Sequence, residues 1–175
     1  MSDEAFADLK RALESEPMSR PEFVYTSYIR TTPERLWQAL TDPAFTGRYW
    51  GVTLESDWAK GSPLVWVEKG VRTEHPDQVV LESQPYQRLS YTWHTFTAEW
   101  AAAHPGAGDH FDALREEPRS KVTFDLEPVG ELVRLTVVHD GFAPGSTLLG
   151  LISQGWPHVL SSLKTLLETG AALPA

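Results

Sequence analysis

The sequence predicts an α+β domain, in which a twisted antiparallel sheet is wrapped around a long C-terminal helix and two short helices follow the first strand. Three observations predict it. Short apolar runs separated by turn residues recur from residue 52 to residue 139, the pattern of an antiparallel meander. Two cap-plus-proline signals, Thr32-Pro33 and Asp42-Pro43, follow closely on one early strand. Leu148, Ile152, Trp156, Val159, Leu163 and Leu166 then step along one face of a final helix.

Taken in order, residues 1–16 read as a short amphipathic helix with Phe6, Leu9 and Leu13 on one face and Asp3 and Glu4 at its N-terminus. Pro17 and Pro21 end it, so residues 1–20 are expected to be a helical extension and 21–175 the domain. Phe23–Ile29 is aromatic and β-branched and reads as a strand. Leu36, Trp37 and Leu40 give the first short helix its apolar face, and Gly51 ends the second after Tyr49-Trp50. Val52–Asp57, Pro63–Glu68, Val79–Ser83 and Arg88–His94 read as strands, with Lys60-Gly61, His75-Pro76-Asp77 and Gln84-Pro85 as turns. Ser120–Glu127 and Leu132–His139 flank the compact turn Val129-Gly130 and should form a hairpin. Between them and the earlier strands, residues 97–118 form an insertion: one or two helical turns at Ala98–Ala103, then a loop from His104 to Asp109. Gly170 is placed to cap the last helix, and Pro157 inside it predicts a kink or a restart near Gly155.

Composition narrows the function. The chain has 175 residues, no cysteine and a net charge of −9. Disulfides, thiolate nucleophiles and cysteine metal sites are excluded. No basic face offers itself to phosphates, so no nucleic-acid partner is expected. No apolar run approaches the ~18 residues of a membrane span and no secretory signal opens the chain, so a cytoplasmic protein without membrane contact is expected. Glycine-rich phosphate loops are absent, and no cofactor is expected. No two histidines share the helical spacing of a zinc site; His104 and His110, with Asp109 and Asp112 nearby, read as a polar loop, and no metal is expected.

The segments Pro33–Pro43, Tyr49-Trp50-Gly51, Arg88–His94, Val138–Phe142 and Gly155-Trp156-Pro157 leading to Leu163–Gly170 carry a resemblance. Together they resemble the START-like (SRPBCC, helix-grip) superfamily, and within it the group similar to the C-terminal domain of the activator of the heat-shock protein 90 ATPase. The resemblance spans residues 23–170. It implies the helix-grip fold and leaves the function open among lipid, polyketide or hormone binding, a chaperone partner, a cyclase or aromatase activity, and self-resistance by sequestration. The N-terminal helix and the length of the 97–118 insertion depart from the family's pattern.

Seven tryptophans are many for this length, and they read either as a large aromatic core or as the wall of a pocket. Tyr91 and Trp93 share a strand face with Leu89. His139 shares parity with Val133, Leu135 and Val137, either as a bonded core histidine or as a polar handle inside an apolar pocket. The expected function is a binding module that holds an apolar or aromatic small molecule between the sheet and the last helix. The cavity-lining candidates are Trp50, Trp66, Tyr91, Trp93, His139, Phe142, Ile152, Trp156 and Val159. Trp93 from the sheet and Trp156 from the helix are expected to stand on opposite walls with a flat ring between them.

Overall fold

The computed structural model describes residues 3–8 and 21–174. Residues 3–8 are helical (α1) with Phe6 exposed; Leu9, Leu13 and the rest of the expected N-terminal helix lie outside the described residues. The domain begins with β1 (Phe23–Ile29), α2 (Pro33–Thr41) and α3 (Pro43–Tyr49). Both helix starts are made as the sequence dictates. Thr32 Oγ1 accepts from the Arg35 amide at 3.2 Å, and Asp42 Oδ1 from the Ala44 amide at 2.9 Å. Gly51, at φ +75°, turns the chain out of α3.

Five strands form the main antiparallel sheet in the order β1-β8-β7-β6-β5, with β5 Val80–Gln84, β6 Arg88–Thr92, β7 Lys121–Val129 and β8 Leu132–Asp140. The β7–β8 hairpin runs in unbroken register from Val129↔Leu132 to Lys121↔Asp140. Val122, Phe124, Leu126, Val133, Leu135, Val137 and His139 fall on its buried face, as strict alternation requires. A second sheet holds β2 (Val52–Glu55), β3 (Val65–Glu68) and β4 (Val71–Thr73), and a Pro63↔Val79 bridge ties its leading segment to the strand region of the first. The sequence reading missed β4. Its three residues are too few to show alternation, and the turn before it places Lys69 at φ +49° and Gly70 at φ +76°, with glycine at only one of the two positions.

The long helix α6 (Thr147–Thr169) lies against this framework with Leu148, Ile152, Trp156, Leu160, Leu163, Leu166 and Leu167 buried. The expected restart at Pro157 does not occur: one helix runs through it. Trp156 and Leu160 are buried on either side of the proline, and that packing outweighs the bond it deletes. Glu117, at the end of the insertion, accepts from the Ser146 hydroxyl and from the Leu148 amide and so closes the N-terminus of α6. Gly170 caps the other end at φ +85°.

The insertion is more ordered than the sequence reading expected. It contains α4 (Ala98–Ala103), a 3-10 turn at Ala107–His110 and the short helix α5 (Phe111–Leu114). Gly108 lies on the backbone of Ala101, where a Cβ would come within 2.1 Å of the Ala101 carbonyl oxygen, so the fold back onto α4 requires glycine.

Candidate functional site

Between the sheets and α6 lies a cavity of about 160 Å³. Trp50 reaches it from the end of α3, Trp66 from β3, Trp93 from just beyond β6 and Trp156 from α6. Their rings form one connected cluster: centroids are 5.3 Å apart for Trp50–Trp66 and Trp50–Trp156, and 4.8 Å for Trp66–Trp93. Phe96 and Trp100 close the side made by the insertion, while Leu148, Leu151, Ile152, Gly155 and Val159 supply the helix wall. Trp93 and Trp156 do not flank a gap. Their centroids are 5.7 Å apart, less than the ~7 Å that a sandwiched ring needs, so they form adjoining wall.

Behind that wall the polar groups are complete. The Trp156 indole N–H donates to His139 Nδ1 at 3.0 Å. Nδ1 is thereby an acceptor, the imidazole proton sits on Nε2, and Nε2–H donates to Ser120 Oγ at 2.8 Å. His139 has no exposed surface, and burial pulls its pKa down to about 3, with His94 and Lys121 acting in the same direction. Asp140 points away and pairs with Lys121 at 2.6 Å. Neither His139 nitrogen is free to serve a ligand or to move a proton.

At the insertion side the polar groups are incomplete. The indole nitrogens of Trp66 and Trp100 are buried without a hydrogen-bond partner. Glu68, at the end of β3, lines the cavity, and its Oε2 lies 3.1 Å from His104 Nε2. That approach is close enough for an ion pair but misaligned for a hydrogen bond, and both atoms lack one. His104 Nδ1 donates to the Trp100 carbonyl at 2.8 Å, and its ring stacks on the Trp100 indole at 4.5 Å and 19°. His94 stands beside them, its Nδ1 bonded to the Thr95 carbonyl at 2.9 Å; burial pulls its pKa down to about 4 against that bond.

The family profile described as "Activator of Hsp90 ATPase homolog 1-like protein" matches residues 30–168. The chain belongs to this family. Among solved structures it is similar to protein MLL2253 from Mesorhizobium loti, at 28% identity and a TM-score of 0.66 over 85% of this chain and 97% of that one. It also shares its fold with the Aha1 dimer from Colwellia psychrerythraea (19% identity, TM-score 0.63, 86% of this chain and 98% of that one). CalU16 from Micromonospora echinospora is a third (18%, 0.61, 87% and 77%). Among curated proteins no similar sequence was found.

Within this family fold, six of the nine cavity candidates meet around one space: Trp50, Trp66, Trp93, Ile152, Trp156 and Val159. Three lie elsewhere. Tyr91 packs on Trp58 and Phe124 and is 1% exposed, Phe142 packs on His139, and His139 is engaged as described. Glu68, His94, Phe96 and Trp100 were missed, although the aromatic run from Tyr91 to Phe96 is visible in the chain. A wider groove of about 830 Å³ runs past Tyr86, Arg88 and Asp125, where Arg88 already pairs with Glu82 and with Asp125. Among the described residues no three histidine, aspartate or glutamate side chains gather as a metal-binding group, and no helix is long and apolar enough to cross a membrane.

Proposed function

We propose that the protein is a binding module that holds a small apolar or aromatic molecule in the tryptophan-walled cavity between the sheet and α6. The supporting observation is a space left unfilled among six aromatic side chains, next to two indole N–H groups without partners. Close-packed interiors leave few such voids, and buried polar groups are rarely left unpaired without a reason. At about 160 Å³ the space suits one aromatic ring or a short alkyl chain and excludes a fused polycycle. Holding fits better than conversion, because the histidine aimed at the cavity wall has both nitrogens spent. The test is a titration with single-ring aromatics of graded size, read by tryptophan emission and by melting temperature. Compounds of one ring are expected to bind and to raise the melting temperature as mass action requires. If no single-ring compound does either, or if fused polycycles bind equally well, the cavity is not the site.

A second reading, a co-chaperone-like interaction domain, is favoured by the family description and by one surface feature. The edge strand β1 exposes Val24 and Tyr28 on its outer face, at 54% and 47%. Capture of a chaperone by the wild type and its loss in Val24→Lys with Tyr28→Lys would support it.

A further inference from the structure

Next to the tryptophan chamber lies a second cavity of about 310 Å³. Trp93, His94, Phe96 and Leu148 line both, so the two spaces adjoin. Their chemistry differs. The chamber is apolar except at Glu68 and His94. The second cavity is lined by His75, Asp77, Arg115, Glu117 and Arg119.

Most of these charges are already committed. Glu117 caps α6, Arg115 lies 3.6 Å from both Asp112 and Glu116, and His75 Nδ1 accepts from the Asp77 amide. Of these, Arg119 is the cation without an ion-pair partner among the described residues, although the Asp77 carboxylate acts on it from beyond that distance. Its two terminal nitrogens donate to the Trp93 carbonyl and to Thr95 Oγ1, both at 2.9 Å, and both acceptors are neutral. No carboxylate of the described residues lies within ion-pair distance of it. A half-buried guanidinium that holds five N–H donors, makes direct bonds only to neutral acceptors and feels Asp77 only from beyond ion-pair distance is incomplete in hydrogen bonds and only partly compensated in charge. The two bonds it does make fix its head in the second cavity beside Trp93, where the two spaces adjoin.

We infer that the two cavities form one site for a single-ring aromatic carboxylate, with the ring among the tryptophans and the carboxylate on Arg119. The inference rests on the binding reading above and names the ligand class. Glu68 stands at the chamber side, and carboxylates of Asp77 and Glu117 also line the other side, so an acid finds a cation without an ion-pair partner only at Arg119, which sets a single orientation. A planar carboxylate also suits the fork of the guanidinium.

The experiment compares phenylacetate, its neutral amide and benzylamine by calorimetry on the full chain, with wild type, Arg119→Gln, Arg119→Lys and, as a control outside both cavities, Arg30→Gln. Phenylacetate is expected to bind wild type about tenfold or more tightly than the amide, as a charge-assisted pair provides. That preference should vanish in Arg119→Gln, survive in part in Arg119→Lys and survive fully in Arg30→Gln. Because Arg119→Gln also loses bonds to Trp93 and Thr95, salt dependence in wild type supplies a second readout. Added salt should weaken the acid and leave the amide alone. If acid and amide bind wild type equally, the inference fails while the binding reading stands. If benzylamine binds best, Glu68 governs the site and the inference also fails. If none of the three binds, both fail.

Discussion

The His139 side of the tryptophan cluster and the Glu68–His104 side each set a histidine against indole rings and reach opposite states of completion. At His139 every polar atom has a partner and one proton placement satisfies all of them: indole to Nδ1, Nε2–H to Ser120. At Glu68 and His104 two groups approach to 3.1 Å without a hydrogen bond, and the Trp66 and Trp100 indoles donate to nothing. Burial alone does not separate them, since Trp66 is 2% exposed and Trp156 4%. Completion separates them. A complete buried network belongs to stability, and an incomplete one marks where something else is expected to bind.

Deleting the complete network should have the largest effect. His139→Leu keeps the volume but strands the Trp156 N–H and the Ser120 hydroxyl. With about 1–3 kcal/mol for each orphaned group, a loss of about 3 kcal/mol is expected. For a chain of this size that lowers the melting temperature by roughly 6–12 °C. His104→Leu removes a group that is already poorly satisfied and should shift it far less. Equal losses from the two substitutions would erase the distinction between the two sides.

Acid should attack the histidines in the order of the comparison. Burial holds His139 and His94 at about 3 and about 4, below the reference 6.5 that each regains on unfolding. The unfolded chain therefore binds more protons below pH 6.5, and stability falls as the pH drops from there toward 4. Each histidine contributes a slope of up to about 1.4 kcal/mol per pH unit. Denaturant unfolding between pH 6.5 and 5, above most carboxylate titration, should show that fall, and His94→Gln should reduce the slope by about half. A flat profile in this window would mean that neither ring is held neutral by the fold.

What the sequence made legible follows the range of the interactions. Helix starts at Thr32 and Asp42, the cap at Gly170 and the alternation of β7 and β8 are set by neighbours in the chain, and they were readable. Parity placed His139 on the buried face, and the stripe of α6 was found with Leu160 in the core where Val159 had been expected. The exact wall of the cavity was not readable, because it depends on where the insertion folds back. Gly108 against Ala101 directs that fold, and nothing in the local sequence shows that a glycine there is a contact rather than a loop residue. The missing partners of Trp66 and Trp100 are not a sequence property at all: they exist only after β3, α4 and α6 have met. Of the kink or restart expected near Gly155, the restart does not occur, because tertiary burial outweighs the local penalty of Pro157.

The smallest effect should be the most informative about the incomplete side. His104 has its Nδ1 proton committed to the Trp100 carbonyl, so Nε2 faces Glu68 with either a lone pair or a second proton. With a lone pair, two acceptors confront each other, and Glu68→Gln would replace that clash with an amide donor pointing at Nε2. With a second proton, the same substitution would break an ion pair that is only 12% and 19% exposed and leave a buried cation. The first case predicts a change between zero and a gain of about 1 kcal/mol, and the second a clear loss. Because the two atoms are not aligned as donor and acceptor, Glu68→Gln is expected to be neutral or slightly stabilising in denaturant unfolding. A loss greater than about 1 kcal/mol would show that Glu68 and His104 form a finished ion pair, and the wall would then resemble the His139 side after all.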